Sequence, residues 1–232
     1  MSSYLLFFIP PMLLSMWASW KTKTAFKKYS EVPTATGLTG AQAASRLLER
    51  AGIQDVKVVS TSGYLSDHYN PMSKTLALSE PVYGSSSVAA VGVACHEAGH
   101  AIQHARKYAP LWLRSALVPT ANIGSKLGYF VMFGGLMLLS GGAAFGMKVF
   151  VTGAILFSAV LLFQIVTLPV EFDASARAKR LSVEHGVVLE QEQVGVNKVL
   201  NAAALTYVAA AVATLGTLLY YLMRAGLLGG RR

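Results

Sequence analysis

Apolar residues are gathered into four long runs, at 4–20, 118–141, 147–169 and 202–223. Between the first and second runs, apolar and polar positions alternate over much shorter distances. Each long run approaches the ~20 residues an α-helix needs to cross a bilayer. The pattern predicts a membrane α-helical protein with about four transmembrane helices. The second and third runs are joined only by "SGGAAFGMK", so they are expected to form a helical hairpin. Gly134-Gly135 and Gly141-Gly142 suit close helix packing or a tight turn. Lys126 falls near the start of the second run, where it either snorkels or marks a later start. The first run could be a cleaved leader, but no positive segment precedes it. It ends in Trp20 and Lys21 rather than in small residues, and Trp17 and Trp20 suit a membrane interface. Pro10 and Pro11 are expected to kink it.

The shorter periods of residues 30–110 predict a small α+β part. "GLTGAQAASRLLERAG" reads as an amphipathic helix, with Thr39 as N-cap, an apolar stripe of Ala43, Leu47 and Leu48, and Gly52 as the stop. "VKVVS", "GYLSDHY" and "KTLALS" read as three short strands, the last two joined through the turn "NPMS". "TLALS" could present an edge to an extended peptide. "SSSVAAVGVACHEAGHAIQHARK" reads as the next helix, capped by serines and closed by Arg106 and Lys107. The expected layout is a transmembrane helix over 1–20, a catalytic part over 21–116 and transmembrane helices over 117–141 and 147–169. A helical segment over 170–201 and a last transmembrane helix over 202–223 complete it. Pro169 is expected to break the chain before Glu171.

Composition agrees with a membrane protein: of 232 residues, 53% are hydrophobic and 13% charged, against about 25% charged in a soluble domain. The formal net charge of +9 matters through its placement. Lys21, Lys23, Lys27 and Lys28 follow the first run, and Arg177, Lys179 and Arg180 follow the third. Four spans put both groups on one side, which the basic bias assigns to the cytoplasm; Lys148, Arg224, Arg231 and Arg232 lie on the other. A basic surface beside anionic lipid accounts for the charge, and no nucleic-acid motif accompanies it. Cys95 is the sole cysteine, so neither an intrachain disulfide nor a cysteine zinc cluster can form. It reads as a small buried helix residue.

The chemistry centres on "HEAGH". On a helix, His96 and His100 are four residues apart and share one face, so both imidazoles can reach one Zn²⁺. Glu97 is offset around the helix. It can hold a zinc-activated water and accept its proton as general base while zinc polarises a peptide carbonyl. The bland alternative is a helix with two core or membrane-surface histidines. A third ligand is needed. His104 extends the same face but lies about 12 Å along the axis from His96, too far to join it, and reads as a supporting or surface residue. Glu171 follows the third span on the correct side. It is either the third ligand or an acid complementing a helix start. Asp173 could orient a ligand histidine or simply be solvated. His68 could stabilise an oxyanion or be an ordinary strand histidine. His185 receives no role.

The segments "SDHYNPMSKTLALS", "VACHEAGHAIQHA", "LPVEFDASARAKRL" and "VLNAAALTYVAA" together resemble the bacterial YugP-type membrane zinc metallopeptidases, through nearly the whole chain. That family is related at fold level to the HtpX and Ste24 membrane gluzincins. The resemblance implies a zincin-like catalytic part with zinc bound by His96, His100 and Glu171, and Glu97 as catalytic carboxylate. It also implies quality-control cleavage of membrane proteins. Two positions depart from the pattern. Ser175 stands where HtpX-like enzymes carry an aspartate four residues after the ligand glutamate, leaving an orienting acid absent or supplied by Asp173. Asn70 replaces a usual aspartate in a turn. Tyr207, in the "AAALTYVAA" hallmark, could donate a hydrogen bond in the active site or simply pack.

The expectation is a membrane-embedded zinc endopeptidase of the bacterial cytoplasmic membrane, acting on protein or peptide substrates from the cytoplasmic face. A site-2-type intramembrane protease would carry Leu-Asp-Gly on another span, and none occurs. The alternative from a different class is a non-catalytic membrane scaffold with a structural zinc; an intact Glu97 argues against it. Substrate preference and oligomeric state are not written in the sequence.

Overall fold

The computed structural model of the chain describes residues 2–63 and 65–228. Tyr64, in the expected second strand, and Arg231 and Arg232, in the basic tail, lie outside the described residues. The elements run in order α1 (Ser2–Ser30), α2 (Gly40–Arg50), β1 (Lys57–Thr61), β2 (His68–Asn70), β3 (Thr75–Ser79), α3 (Glu80–Tyr83), α4 (Val88–Ala105) and α5 (Ala109–Ile123). A π-helical turn (Gly124–Gly128) follows, then α6 (Tyr129–Ser140), α7 (Gly146–Glu184) and α8 (Glu190–Arg224). The protein is therefore mostly helical with one small sheet. Among the described residues, three helices are long and apolar enough to cross a membrane: Ala109–Ser140, Gly146–Glu184 and Glu190–Arg224.

The chain divides into two compact units. One comprises Met1–Trp17, Leu113–Leu168 and Thr206–Arg232, the other Ala18–Trp112 and Pro169–Leu205. In the first, helices approach through glycine. A Cβ built on Gly128 would lie 2.8 Å from the backbone nitrogen of Phe157, and one on Gly216 would lie 2.9 Å from the carbonyl oxygen of Phe7. Side chains there cannot separate the backbones without breaking the contact, which is how small residues hold apolar helices together. Met132 and Phe150 are fully buried between α6 and α7, whose short connection makes the expected hairpin. Lys126 lies in the π-helical turn and is exposed. The helix carrying it begins at Ala109 rather than at 118.

In the second unit, α2 begins at a capping box. Thr39 Oγ1 accepts from the Gln42 amide at 3.3 Å, and Gln42 Oε1 accepts from the Thr39 amide at 2.9 Å. Gly52 ends the helix with φ +76°, a left-handed conformation a side chain would oppose. Ala43, Ala44, Leu47 and Leu48 turn inward and pack with Val91, Ala94, Ala98 and Ile102 of α4. Ser87 caps α4, accepting from the Ala90 amide. The helix ends at Ala105, two residues before the expected end, because Lys107 adopts φ 52°. There its amide donates to the His104 carbonyl while Tyr108 donates to that of Gln103.

The sheet order is β1-β3-β2, with β1 parallel and β2 antiparallel to β3. This corrects two expectations. "TLALS" is the central strand and has no free edge along Thr75–Ala77, where both neighbours pair. The second strand is also shorter and later than "GYLSDHY", because residues 62–63 and 65–67 lie outside any strand. Ser66 Oγ donates there to Ser62 and Gly63, and Asp67 accepts from the Ser79 amide and hydroxyl. Asn70 Oδ1 accepts from the Met72 and Ser73 amides, so the amide side chain makes the turn bonds a carboxylate would make. The third correction concerns Pro169. It sits inside α7, which continues unbroken to Glu184. Glu171 is thus an interior helix residue, and the reading of it as a dipole-complementing acid at a helix start falls away.

Candidate metal centre

The site lies wholly within the unit formed by Ala18–Trp112 and Pro169–Leu205. Two helices make it. α4 supplies His96 and His100 one turn apart, their ring centroids 4.8 Å apart and their planes at 82°. α7 supplies Glu171, which is 1% exposed. Glu171 Oε2 lies 3.2 Å from His96 Nε2 and 3.6 Å from His100 Nε2. Ligand atoms of the three residues all fall within 4.8 Å of one another. That convergence depends on Gly99, between the two histidines. A Cβ there would stand 2.6 Å from the Ala174 carbonyl oxygen, so α4 and α7 could not come this close with any larger residue.

The far nitrogens of both rings are occupied. His96 Nδ1 meets Ser175 Oγ at 3.1 Å, and His100 Nδ1 meets Gln103 Oε1 at 3.0 Å. Both Nε2 atoms are therefore the ones turned toward Glu171. Two imidazoles and one carboxylate, each ring held from behind, make a donor set that could hold a metal ion through three protein ligands. The residues present fit zinc. Burial disfavours a charged His100, but the nearby Glu171 and Glu97 carboxylates outweigh burial and raise its pKa. Glu97 is itself buried, 8% exposed, beside this pair. Cys95, adjacent to His96, is fully buried, and burial pushes its thiol up to about 12; it packs in the core as expected.

Other expected residues fall elsewhere. His68 is exposed at the start of β2, its Nδ1 2.8 Å from the Ser66 carbonyl oxygen. His104 Nδ1 meets the Tyr69 hydroxyl at 2.8 Å, a link between α4 and the sheet. Tyr207 lies on α8 in the other unit, 37% exposed. Asp173 reaches no histidine directly. Its Oδ2 accepts from Gln103 Nε2 at 2.7 Å and from Arg177 Nε at 2.6 Å. Sequence reasoning passed over Gln103 and Gly99 and treated Ser175 as a defect, whereas Ser175 meets a histidine. The available signals were spacing: Gln103 lies three residues after His100 and Ser175 four after Glu171, each one helical turn from a ligand candidate.

Comparison with known proteins agrees with the donor set. Residues 4–226 match the family model described as "Putative neutral zinc metallopeptidase". The chain is 47% identical over 210 residues to "Putative membrane protease YugP" of Bacillus subtilis (strain 168), covering 90% of this chain and 91% of that protein. No solved structure matches the chain. A match that spans nearly every residue and includes the three converging donors leaves one assignment: the chain belongs to this family of neutral zinc metallopeptidases.

Proposed function

We propose that the chain is a membrane-embedded zinc endopeptidase of the gluzincin type, with His96, His100 and Glu171 as metal ligands and Glu97 as general base. The observation that carries the reading is the convergence of one carboxylate from α7 on two imidazoles from α4. Zinc bound there supplies Lewis acidity toward a peptide carbonyl and makes a water easier to deprotonate. The chain's own residues do the rest. Ser175 and Gln103 orient the imidazoles. Glu97 takes a proton on its carboxylate and hands it to the departing amine. The small residues around the motif, Ala94, Ala98 and Ala101, are buried and keep bulk water from the helix face behind the site.

The substrates of this reading are membrane or membrane-associated proteins. In this reading α1 is a fourth span beside the three long apolar helices: it shows Leu5, Leu6, Met12, Leu13 and Met16 exposed along its first half, a surface suited to lipid. The basic residues that follow, Lys21, Lys23, Lys27 and Lys28, favour a cytoplasmic site. The test is metal-dependent cleavage of a membrane-protein substrate by detergent-purified protein. Glu97→Gln is expected to retain zinc and lose about 10²–10⁴-fold in rate. Equal zinc and equal cleavage in Glu97→Gln would remove Glu97 from the mechanism. Zinc without any cleavage in the unmodified protein would favour a scaffold with a structural metal.

A further inference from the structure

Gln103 is fully buried, 0% exposed, one helical turn after His100 on α4. Each of its polar atoms has a partner. Nε2 donates to the Val170 carbonyl oxygen at 2.8 Å and to Asp173 Oδ2 at 2.7 Å, while Oε1 faces His100 Nδ1 at 3.0 Å. The orientation of this amide is forced. A carbonyl and a carboxylate only accept, so the NH₂ must face them and the oxygen must face the histidine. An oxygen that only accepts then requires the proton of neutral His100 to sit on Nδ1, leaving the Nε2 lone pair for Glu171's side of the site. Arg177 holds Asp173 through contacts of 2.6 and 3.3 Å, which keeps the carboxylate where it fixes the amide. His96 is different. Its partner is the Ser175 hydroxyl, which donates or accepts equally well, so nothing behind His96 selects a tautomer.

We propose that Gln103 is a positioning residue that locks His100 in the Nδ1–H tautomer, and that Asp173 and Arg177 act on the metal site through it. The inference rests on the reading of His96, His100 and Glu171 as ligands. It separates their roles: His100 is the preset ligand, and His96 sets its tautomer when the metal arrives. A purely structural Gln103, pinning α4 to α7, would also be buried and bonded. What distinguishes the two is the state of the imidazole.

The test uses the full chain in detergent with ¹⁵N-labelled histidine, metal-free, at a pH where the imidazoles are neutral. Nitrogen shifts report which ring nitrogen carries the proton. A parallel titration against a zinc-buffering chelator reports affinity. The unmodified protein is expected to hold His100 as Nδ1–H, and His96, whose Nε2 faces the Glu171 carboxylate at 3.2 Å, as Nε2–H. Gln103→Leu removes the acceptor; His100 should become mixed and zinc should bind about 10–100-fold more weakly. Asp173→Asn, at a partly exposed position where folding is less at risk, should loosen the His100 tautomer with a smaller loss of affinity and leave His96 unchanged. An Nε2–H tautomer at His100 in the unmodified protein overturns the proposal. So does Gln103→Leu with an unaltered tautomer, whatever its effect on stability. The tautomer is read without metal, so failure of the unmodified protein to take up zinc would overturn the ligand reading and not this one.

Discussion

In the unit made of Met1–Trp17, Leu113–Leu168 and Thr206–Arg232, helices meet backbone to backbone at Gly124, Gly128, Gly135 and Gly153. Its buried polar residue, among those described, is Thr167, whose hydroxyl returns to the Phe163 carbonyl of its own helix. In the unit made of Ala18–Trp112 and Pro169–Leu205, close approach is found again, at Gly99 against Ala174. There it lies beside Glu97, His100, Gln103, Glu171 and Ser175, all buried. The same device of a glycine against the backbone of a facing helix thus serves two ends. In the first unit it gains packing between apolar surfaces that have no hydrophobic drive to associate within lipid. In the second it sets the distance between donor atoms. Packing faults should therefore remain packing faults in one unit and become chemical faults in the other.

The strongest challenge to this contrast is Glu171→Ala. Two imidazoles remain, too few for a catalytic zinc. Elemental analysis after purification without chelator should show zinc falling from about one per chain to background. His104→Ala, which breaks only the bond to Tyr69, should keep its zinc. Retention of zinc by Glu171→Ala would mean that the third ligand is another residue. Next in size comes a matched pair of glycine substitutions. Gly99→Ala places a methyl 2.6 Å from the Ala174 carbonyl oxygen, and Gly153→Ala drives one into the backbone of Met132. Each is expected to destabilise by about 1–3 kcal/mol, read from thermal unfolding. Zinc affinity should fall only for Gly99→Ala. Equal loss of affinity in both would dissolve the distinction between the units.

The contrast also explains what could be read in the sequence. The apolar runs announce themselves because a spanning helix needs a long unbroken stretch, and α5 to α8 follow them with shifted ends. Thr39, Gly52 and Ser87 were legible because capping is local chemistry. His96 and His100 were legible because helical spacing alone puts them on one face. Glu171 lies 71 residues beyond His100, and only the packing of α7 on α4 brings them together. Pro169 misled because a proline inside a helix forfeits one backbone hydrogen bond, a loss that packing can outweigh. The central place of β3 was invisible because strand order depends on a parallel pairing of β1 with β3 that no turn between them encodes. Ser175 and Gln103 escaped notice because a serine and a glutamine acquire meaning only from what stands behind them.

The smallest expected effect concerns a helix cap in the unit that holds the donor residues. Thr39 closes the capping box of α2, which bears no ligand but packs Leu47 and Leu48 against the helix that does. Thr39→Ala removes an acceptor for the Gln42 amide and should cost about 1 kcal/mol. In a chain of this length that corresponds to a fall of about 2–4 °C in Tm. The lost bond lies at the exposed end of α2, and the core contacts of Leu47 and Leu48 remain, so zinc affinity should not change. Ser87→Ala is the sharper partner. It removes a cap of the same kind from α4, two turns before His96, and should cost a similar amount of stability. Fraying there would have to pass Val91 and Ala94, both 0% exposed, before reaching the ligands. Zinc affinity should hold in this variant too. Loss of affinity in Ser87→Ala alone would mean that the start of α4 is coupled to the metal site. Loss in both would mean that the unit responds as a whole, and that its donor distances depend on global stability as well as on the contact at Gly99.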